Sequence, residues 1–313
     1  MVREADRAVG STAMTSLSAS VPVVGTEKLR SYLALTKPRI IELLLVTTLP
    51  TMFVARRGVP GVWLMVATLA GGALAAGGAN AINMVVDRDI DKLMHRTRNR
   101  PLVTGAMTPR AALVFALTLE VVAFAELWTW VNLLSAVLAV SATAFYVFVY
   151  TLWLKRISSQ NIVIGGAAGA VPVLVGWAAV TDSLGWAPVV LFAVIFIWTP
   201  PHFWALAIRY RDDYETAGVP MLPVVATLKR TARQILVYTV LLVAVTLLFA
   251  AVGHMGVLYV VSAAVLGAGF LVYAVRLHQR ATPRAAMRLF QYSITYLTLL
   301  FAAMAGDVLV RFH

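Results

Sequence analysis

An all-α bundle that crosses a membrane several times is the fold this sequence predicts, on three observations. Of 313 residues, 60% are hydrophobic and 13% charged, where a soluble domain carries about 25% charged residues. The apolar residues fall in long runs, and a spanning helix needs roughly 20 of them. The basic residues collect in alternate connections between those runs, as the positive-inside rule requires.

Nine runs qualify, at about 40–55, 62–82, 110–128, 131–152, 162–180, 187–207, 232–252, 257–275 and 289–309. The first is short and carries Glu42. Residues 1–31 contain Ser, Ala and Val without a long apolar run and are expected to be a disordered cytoplasmic tail, not a cleaved signal peptide. Residues 32–313 are expected to form one transmembrane domain. Of the 26 lysines and arginines, all but Arg56, Arg57 and Arg311 belong to the tail or to the connections after the second, fourth, sixth and eighth runs. That asymmetry places the N-terminus in the cytoplasm and the C-terminus outside a cell membrane. In a soluble protein the net charge of +12 would suggest nucleic acid. Here it fits basic loops against an anionic lipid leaflet, so the bilayer is the expected partner and nucleic acid is not. With no cysteine, disulfides and thiolate chemistry are excluded.

The densest polar stretch follows the second run: NMVVDRDIDKLMHRTRNRPL, residues 83–102. Asn83, Asp87 and Asp91 are four apart. On a helix each such step advances about 6 Å and turns only ~40°, so the three share a face. Asp89 falls off it, toward solvent or a basic neighbour. Acids at a helix C-terminus oppose the macrodipole and need positive charge nearby. Arginines can provide it, and so can a divalent cation, for which carboxylate oxygens and a phosphate suit Mg²⁺. Lys92, Arg96, Arg98 and Arg100 follow as phosphate donors. An arginine-rich cytoplasmic loop is commonplace; the mixed Asn-Asp-Asp face is less so, and suggests a metal–diphosphate site.

The connection after the sixth run, RYRDDYETAGVPMLPVVATLKR at 209–230, repeats the chemistry with Asp212 and Asp213 among Arg209, Arg211, Lys229 and Arg230. Two acidic clusters at one membrane face can hold Mg²⁺ around one diphosphate. Glu215 reads as an ordinary solvated acid. Lys155 and Arg156 end the fourth run, within reach of a phosphate. Upstream, WTPPHFW sets His202 beside Pro200 and Pro201, whose missing N–H groups require a compensating cavity or protein contact. His202 is read as a hydrogen-bonded structural residue, an iron ligand, a base or a carboxylate-binding group. Gly165, Gly166, Gly169 and Ala170 in the fifth run permit close helix packing or make room for a flat ligand. Glu120, Glu126 and Asp307 are the other acids in or near spans, with Glu126 and Asp307 expected at the outer interface.

The stretch 83–102 resembles the first aspartate-rich motif of the UbiA-type intramembrane prenyltransferases. LTKPRIIELLLVTTLP at 35–50, WTPPHFWALAIRYRDDY at 198–214 and AGVPMLPVV at 217–225 resemble the branch of that family that prenylates haem. The likeness spans roughly 32–309. It implies a nine-helix bundle whose central cavity opens to the cytoplasm, and Mg²⁺-dependent transfer of a farnesyl group from farnesyl diphosphate to a vinyl group of haem B. It also implies a place near haem A synthase or oxidase assembly factors. Carried over, Asn83, Asp87, Asp91, Asp212 and Asp213 are the metal residues. Lys155, Arg156, Arg96, Arg100 and Arg39 bind diphosphate, Asp87, Asp91 and Lys155 carry the catalysis, and His202 meets the haem. The second motif lacks the fuller DxxxD pattern of many members. His202 stands near a position that is acidic in relatives acting on quinone precursors, which favours haem as acceptor. A prenyltransferase for an aromatic acid or quinone precursor is the nearest alternative. A transporter would show paired repeats with interrupted helices, and a haem electron carrier a second axial ligand.

Overall fold

The computed structural model describes residues 24–312, apart from the side chains at 24, 26 and 39–45. Its helices are α1 (Val24–Thr36), α2 (Pro38–Arg56), α3 (Val62–Val86), α4 (Arg88–Leu93), α5 (Pro101–Thr104), α6 (Pro109–Trp130), α7 (Leu133–Ala144), a π-helix (Phe145–Leu154) running into α8 (Lys155–Ile157), α9 (Asn161–Thr181), α10 (Trp186–Arg209), α11 (Arg211–Thr216), α12 (Leu222–Val225), α13 (Leu228–Val252), α14 (Val257–Arg280) and α15 (Pro283–Phe312). No strand occurs among the described residues. Among the described residues, eight helices are long and apolar enough to cross a membrane, counting α7, the π-helix and α8 as one. They account for eight of the nine expected runs. The remaining run lies in α2, 19 residues long, part of whose side chains are outside the described set.

The expected runs stop one to two turns short of several helix ends. The second ends at Val86 rather than 82, the eighth at Arg280 rather than 275, and the ninth begins at Pro283 rather than 289. Hydropathy reports the lipid thickness, whereas the hydrogen-bond ladder runs on into the charged interface. The tail boundary at 31 falls inside α1, which is too short and too polar to stand out as an apolar run; the rest of the tail lies outside the described residues. α10 continues through Pro200 and Pro201 without a break.

α9 and α10 are the most buried spans. α10 packs on α9, α13 and α15, α9 also on α2 and α7, and α3 packs chiefly on α6. Glycine sets some of these approaches: a Cβ at Gly176 would stand 2.8 Å from the Thr48 carbonyl oxygen. The main core joins α9, α10, α13, α14 and α15 around Trp198, Phe249, Phe270, Tyr296 and Phe301. Apolar side chains such as Trp63, Val121, Phe148, Trp186 and Val265 face outward, as lipid-facing surfaces do. The two long connections form their own small core, in which Ile90 and Met94 pack with Ala207, Tyr214, Val219 and Met221. The stretches 83–102 and 209–221 therefore lie at the same end of the bundle.

Candidate active site

The acidic face expected from the sequence is present. The Asp87 N–H donates to the Asn83 carbonyl and the Asp91 N–H to the Asp87 carbonyl, both at 2.9 Å, so helical spacing survives the junction of α3 and α4. Asn83, Asp87 and Asp91 are 3%, 0% and 1% exposed. Carboxylates so far from water need paired charge. Lys155 bridges to Asp87 Oδ2, which also accepts from Asn83 Nδ2 at 2.7 Å. Arg156 stands 3.9 Å from Asp87 Oδ1, and Arg100 pairs with Asp91 Oδ2 at 2.6 Å. Asp89 lies off the face, where it takes two 2.7 Å bonds from Arg156. Those bonds hold its carboxyl down at about 2.

Lys155 reaches this face because of the π-helix. In an α-helix the nine residues from Tyr146 to Lys155 turn through about 900°, leaving the two on opposite sides. At the roughly 4.4 residues per turn of a π-helix the same step returns to within ~20° of its start. Thr151 Oγ1 bonds the Tyr146 carbonyl at 2.9 Å inside the widened turn and accepts from Asn83 Nδ2 at 3.2 Å. Tyr146 and Tyr150 stack at 5.4 Å. Gly165 allows this, since a Cβ there would overlap the Tyr150 ring.

Of the second acidic cluster, Asp213 reaches across to the first: its carboxylate accepts from the backbone N–H groups of His95 at 3.2 Å and Arg96 at 3.4 Å. Asp212 is exposed. Arg96 donates to the Tyr214 hydroxyl at 2.9 Å and lies over the Tyr210 and Tyr214 rings. It fastens the two connections together rather than standing free for a ligand. The side chain of Arg39 lies outside the described residues. Among the described residues, no three His, Asp or Glu side chains converge as a metal cage. The donor set nevertheless fits a hard divalent cation. Asp87 Oδ1 and Asp91 Oδ1 are buried without a hydrogen-bond partner, and a cation that also binds phosphate needs few protein oxygens.

Beside this face lies a cavity of about 300 Å³, lined by Asn80, Thr143, Tyr146, Tyr150, Gly166 and Trp198 among others, and mostly apolar. Asn80 is one turn before Asn83 on α3, so the cavity adjoins the acidic face. His202 is buried, 7% exposed, with Nδ1 2.7 Å from Ser293 Oγ and its ring stacked on Trp198 at 4.2 Å. Trp198 and Phe203 line the cavity, while His202 stands behind them. The hydrogen-bonded structural role is the one this geometry favours. Asp307 caps α14 by accepting from Gly256 N at 2.6 Å and Tyr259 N at 3.2 Å.

Sequence reasoning missed Lys37, Tyr146 and Tyr150. Lys37 Nζ donates to Asn83 Oδ1 at 2.9 Å. Burial, with Arg100 and Lys155 nearby, lowers its pKa to about 7. Its signal was faint, a lone lysine before Pro38 at the edge of an apolar run. Lys37, Lys155, Arg100 and Arg156 thus stand among Asp87, Asp89 and Asp91, a mixed face on which basic groups are available to an anion.

The structure is thus a bundle of apolar helices with a basic, acid-centred face beside an apolar cavity, the make-up of a multi-pass membrane protein with a polar site at one end. The UbiA prenyltransferase family matches residues 44–302, and the chain belongs to that family. It is 57% identical over 288 residues to the protoheme IX farnesyltransferase of Parafrankia sp. (strain EAN1pec), covering 91% of this chain and 92% of that one. It is also 57% identical over 282 residues to protoheme IX farnesyltransferase 1 of Saccharopolyspora erythraea, covering 89% and 90%. Among solved structures, a digeranylgeranylglyceryl phosphate synthase superposes with a TM-score of 0.76 at 17% identity, covering 91% of this chain and 99% of that one. A UbiA homologue from Archaeoglobus fulgidus bound to DMAPP and Mg²⁺ gives 0.67 at 19% identity, covering 90% and 99%. At those identities the structures speak for the fold alone.

Proposed function

We propose that this chain is a haem-modifying prenyltransferase: it transfers the farnesyl group of farnesyl diphosphate to a vinyl group of haem B, and water completes a hydroxyethylfarnesyl side chain. The names of its relatives support that choice of substrates. The structural observation that carries the chemistry is the pair of buried, half-satisfied carboxylates Asp87 and Asp91, ringed by basic side chains at the edge of an apolar cavity.

Asn83, Asp87 and Asp91 would hold Mg²⁺, with Asp212 and Asp213 as further acids at the same mouth. When bound, the metal draws off negative charge that builds on the departing diphosphate. Lys155, Arg156, Arg100 and Lys37 bind the diphosphate oxygens and stabilise the same charge by position. Arg39 is proposed for this role too, and Arg96 is proposed to act one step removed, by fixing the loop that carries Arg100. The C1–O bond breaks as the vinyl carbon bonds to C1. The apolar cavity keeps bulk water from the allylic cation, and the stacked Tyr146 and Tyr150 offer it the negative faces of their rings. His202 is proposed to act on the haem indirectly, by bracing Trp198, which lines the chamber, against α15. The basic mouth faces the cytoplasm, with the N-terminus on that side of the cell membrane and the C-terminus opposite. Enzymes that use the modified haem, such as haem A synthase and oxidase assembly factors, are its expected neighbours.

The test incubates the protein in membranes with haem B, farnesyl diphosphate and Mg²⁺, with and without a chelator, and reads the haem products by mass. The expected product is a haem heavier by one farnesyl group and one hydroxyl, seen only when Mg²⁺ is free. Farnesylation of an aromatic acid, with haem left intact, would overturn the assignment.

A further inference from the structure

Addition of C1 to a vinyl group leaves a cation on the carbon next to the haem ring. A water molecule must then form a C–O bond there and lose a proton. The apolar chamber that protects the first cation offers few places for that proton to go. Most cavity threonines spend their hydroxyl hydrogens on backbone carbonyls, Thr68 on Leu64 and Thr199 on Ile195. Thr143 does not: its Oγ1 donates to Glu120 Oε1 at 3.2 Å. Thr143 lines the cavity one helical turn before Tyr146. Glu120 comes from α6, behind the wall, and its carboxylate lies against Gly78 of α3, where any Cβ would collide with Oε1. One side of this carboxylate is engaged by the Thr143 hydroxyl and the Ala79 backbone N–H, while Oε2 is buried without a hydrogen-bond partner. Packing does not account for it, because a buried acid left half unpaired costs stability.

We propose that Glu120, acting through the Thr143 hydroxyl, takes up the proton released when water captures the haem-side cation. This rests on the haem-farnesylating reading. The water oxygen bonds to the cationic carbon and one of its O–H bonds breaks. That proton passes to Thr143 Oγ1 while the Thr143 proton passes to Glu120, so the hydroxyl is regenerated and Glu120 ends as a neutral acid. No oxidant or reductant is required. Thr143 touches the water; Glu120 is a positioning and proton-accepting residue one bond further back.

Glu120→Gln keeps the acceptor that Thr143 needs but cannot take a proton, so it separates proton transfer from packing. With haem B, farnesyl diphosphate and Mg²⁺ in membranes, it should lower turnover roughly 10²-fold, as loss of a general base does. The KM for farnesyl diphosphate should stay unchanged, and part of the product should appear one water lighter, from proton loss without hydration. Thr143→Val should give the same pattern, and Thr143→Ser should restore the hydroxylated product. If Glu120→Gln makes the hydroxylated haem at the wild-type rate, the proposal fails while the farnesylation reading stands. If the wild-type protein makes no farnesylated haem, both fall.

Discussion

Lys155 pairs with Asp87 across 68 residues of sequence, and it does so from the far end of a ten-residue π-helix. The contact depends on helix type as much as on helix packing. Deleting Phe148, which faces outward at 66% exposure, should return this segment to α-helical geometry, where the eight remaining steps from Tyr146 turn through about 800° and leave Lys155 roughly 60° from its place in the π-helix. Prenyl transfer should fall below detection while the protein still inserts and remains monodisperse in detergent. Retained activity would show that Lys155 is not needed at Asp87.

Arg100 neutralises a carboxylate that is 1% exposed. Arg100→Ala should therefore cost about 3 kcal/mol, because it strands Asp91 without its partner. Adding Asp91→Asn should recover most of that stability and none of the activity. Thermal unfolding of the single and double variants, read beside the haem product, separates the two effects. A double variant as unstable as Arg100→Ala would deny that charge burial is the cause.

The Asp89–Arg156 pair gives a pH signature. The carboxyl of Asp89 is lowered from 3.8 to about 2, chiefly by its bonds from Arg156. A lowered acid stabilises the fold above its ordinary value, and that contribution is lost as pH falls through the lowered one. The stability difference between wild type and Asp89→Asn should stay flat from pH 8 to 5 and vanish between about pH 4 and 2. It should be no more than about 1 kcal/mol, since Asp89 is 59% exposed and solvent screens the pair. A difference that instead grows toward low pH would contradict the pairing.

Gly165→Ala should displace the Tyr150 ring and break its stacking on Tyr146. Overpacking of this kind costs roughly 1–3 kcal/mol. The cavity narrows, so the KM for farnesyl diphosphate should rise more than that for a shorter allylic diphosphate. Equal changes for both donors would place Tyr150 outside the chain-binding region.

Much of this was legible in the residues. The apolar runs marked the spans because lipid contact demands them. The four-residue spacing of Asn83, Asp87 and Asp91 marked one helix face, and the structure keeps all three on it. The π-helix was not legible: FYVFVYTLWL reads as any apolar helix, and its widened turns are set by tertiary contacts such as Thr151 with Asn83. Lys37 was hidden because proximity across 46 residues leaves no local pattern. Asp213 is expected from its sequence neighbours to be a metal residue; its use as an acceptor for the His95 and Arg96 amides follows from how two connections fold onto each other. His202 was singled out by its surroundings, and Ser293, the partner that defines its geometry, lies 91 residues away.

The small apolar cluster shared by the two connections has a mechanical meaning. Ile90 and Met94 meet Tyr214, Val219 and Met221 outside the principal core. The cluster also takes in Ile162 of α9 and Ala207 of α10, so it ties the two connections to each other and to the end of the bundle. Its loosening would bare the acidic face to water without unpacking the five-helix core, so opening and overall stability can be tuned by different residues.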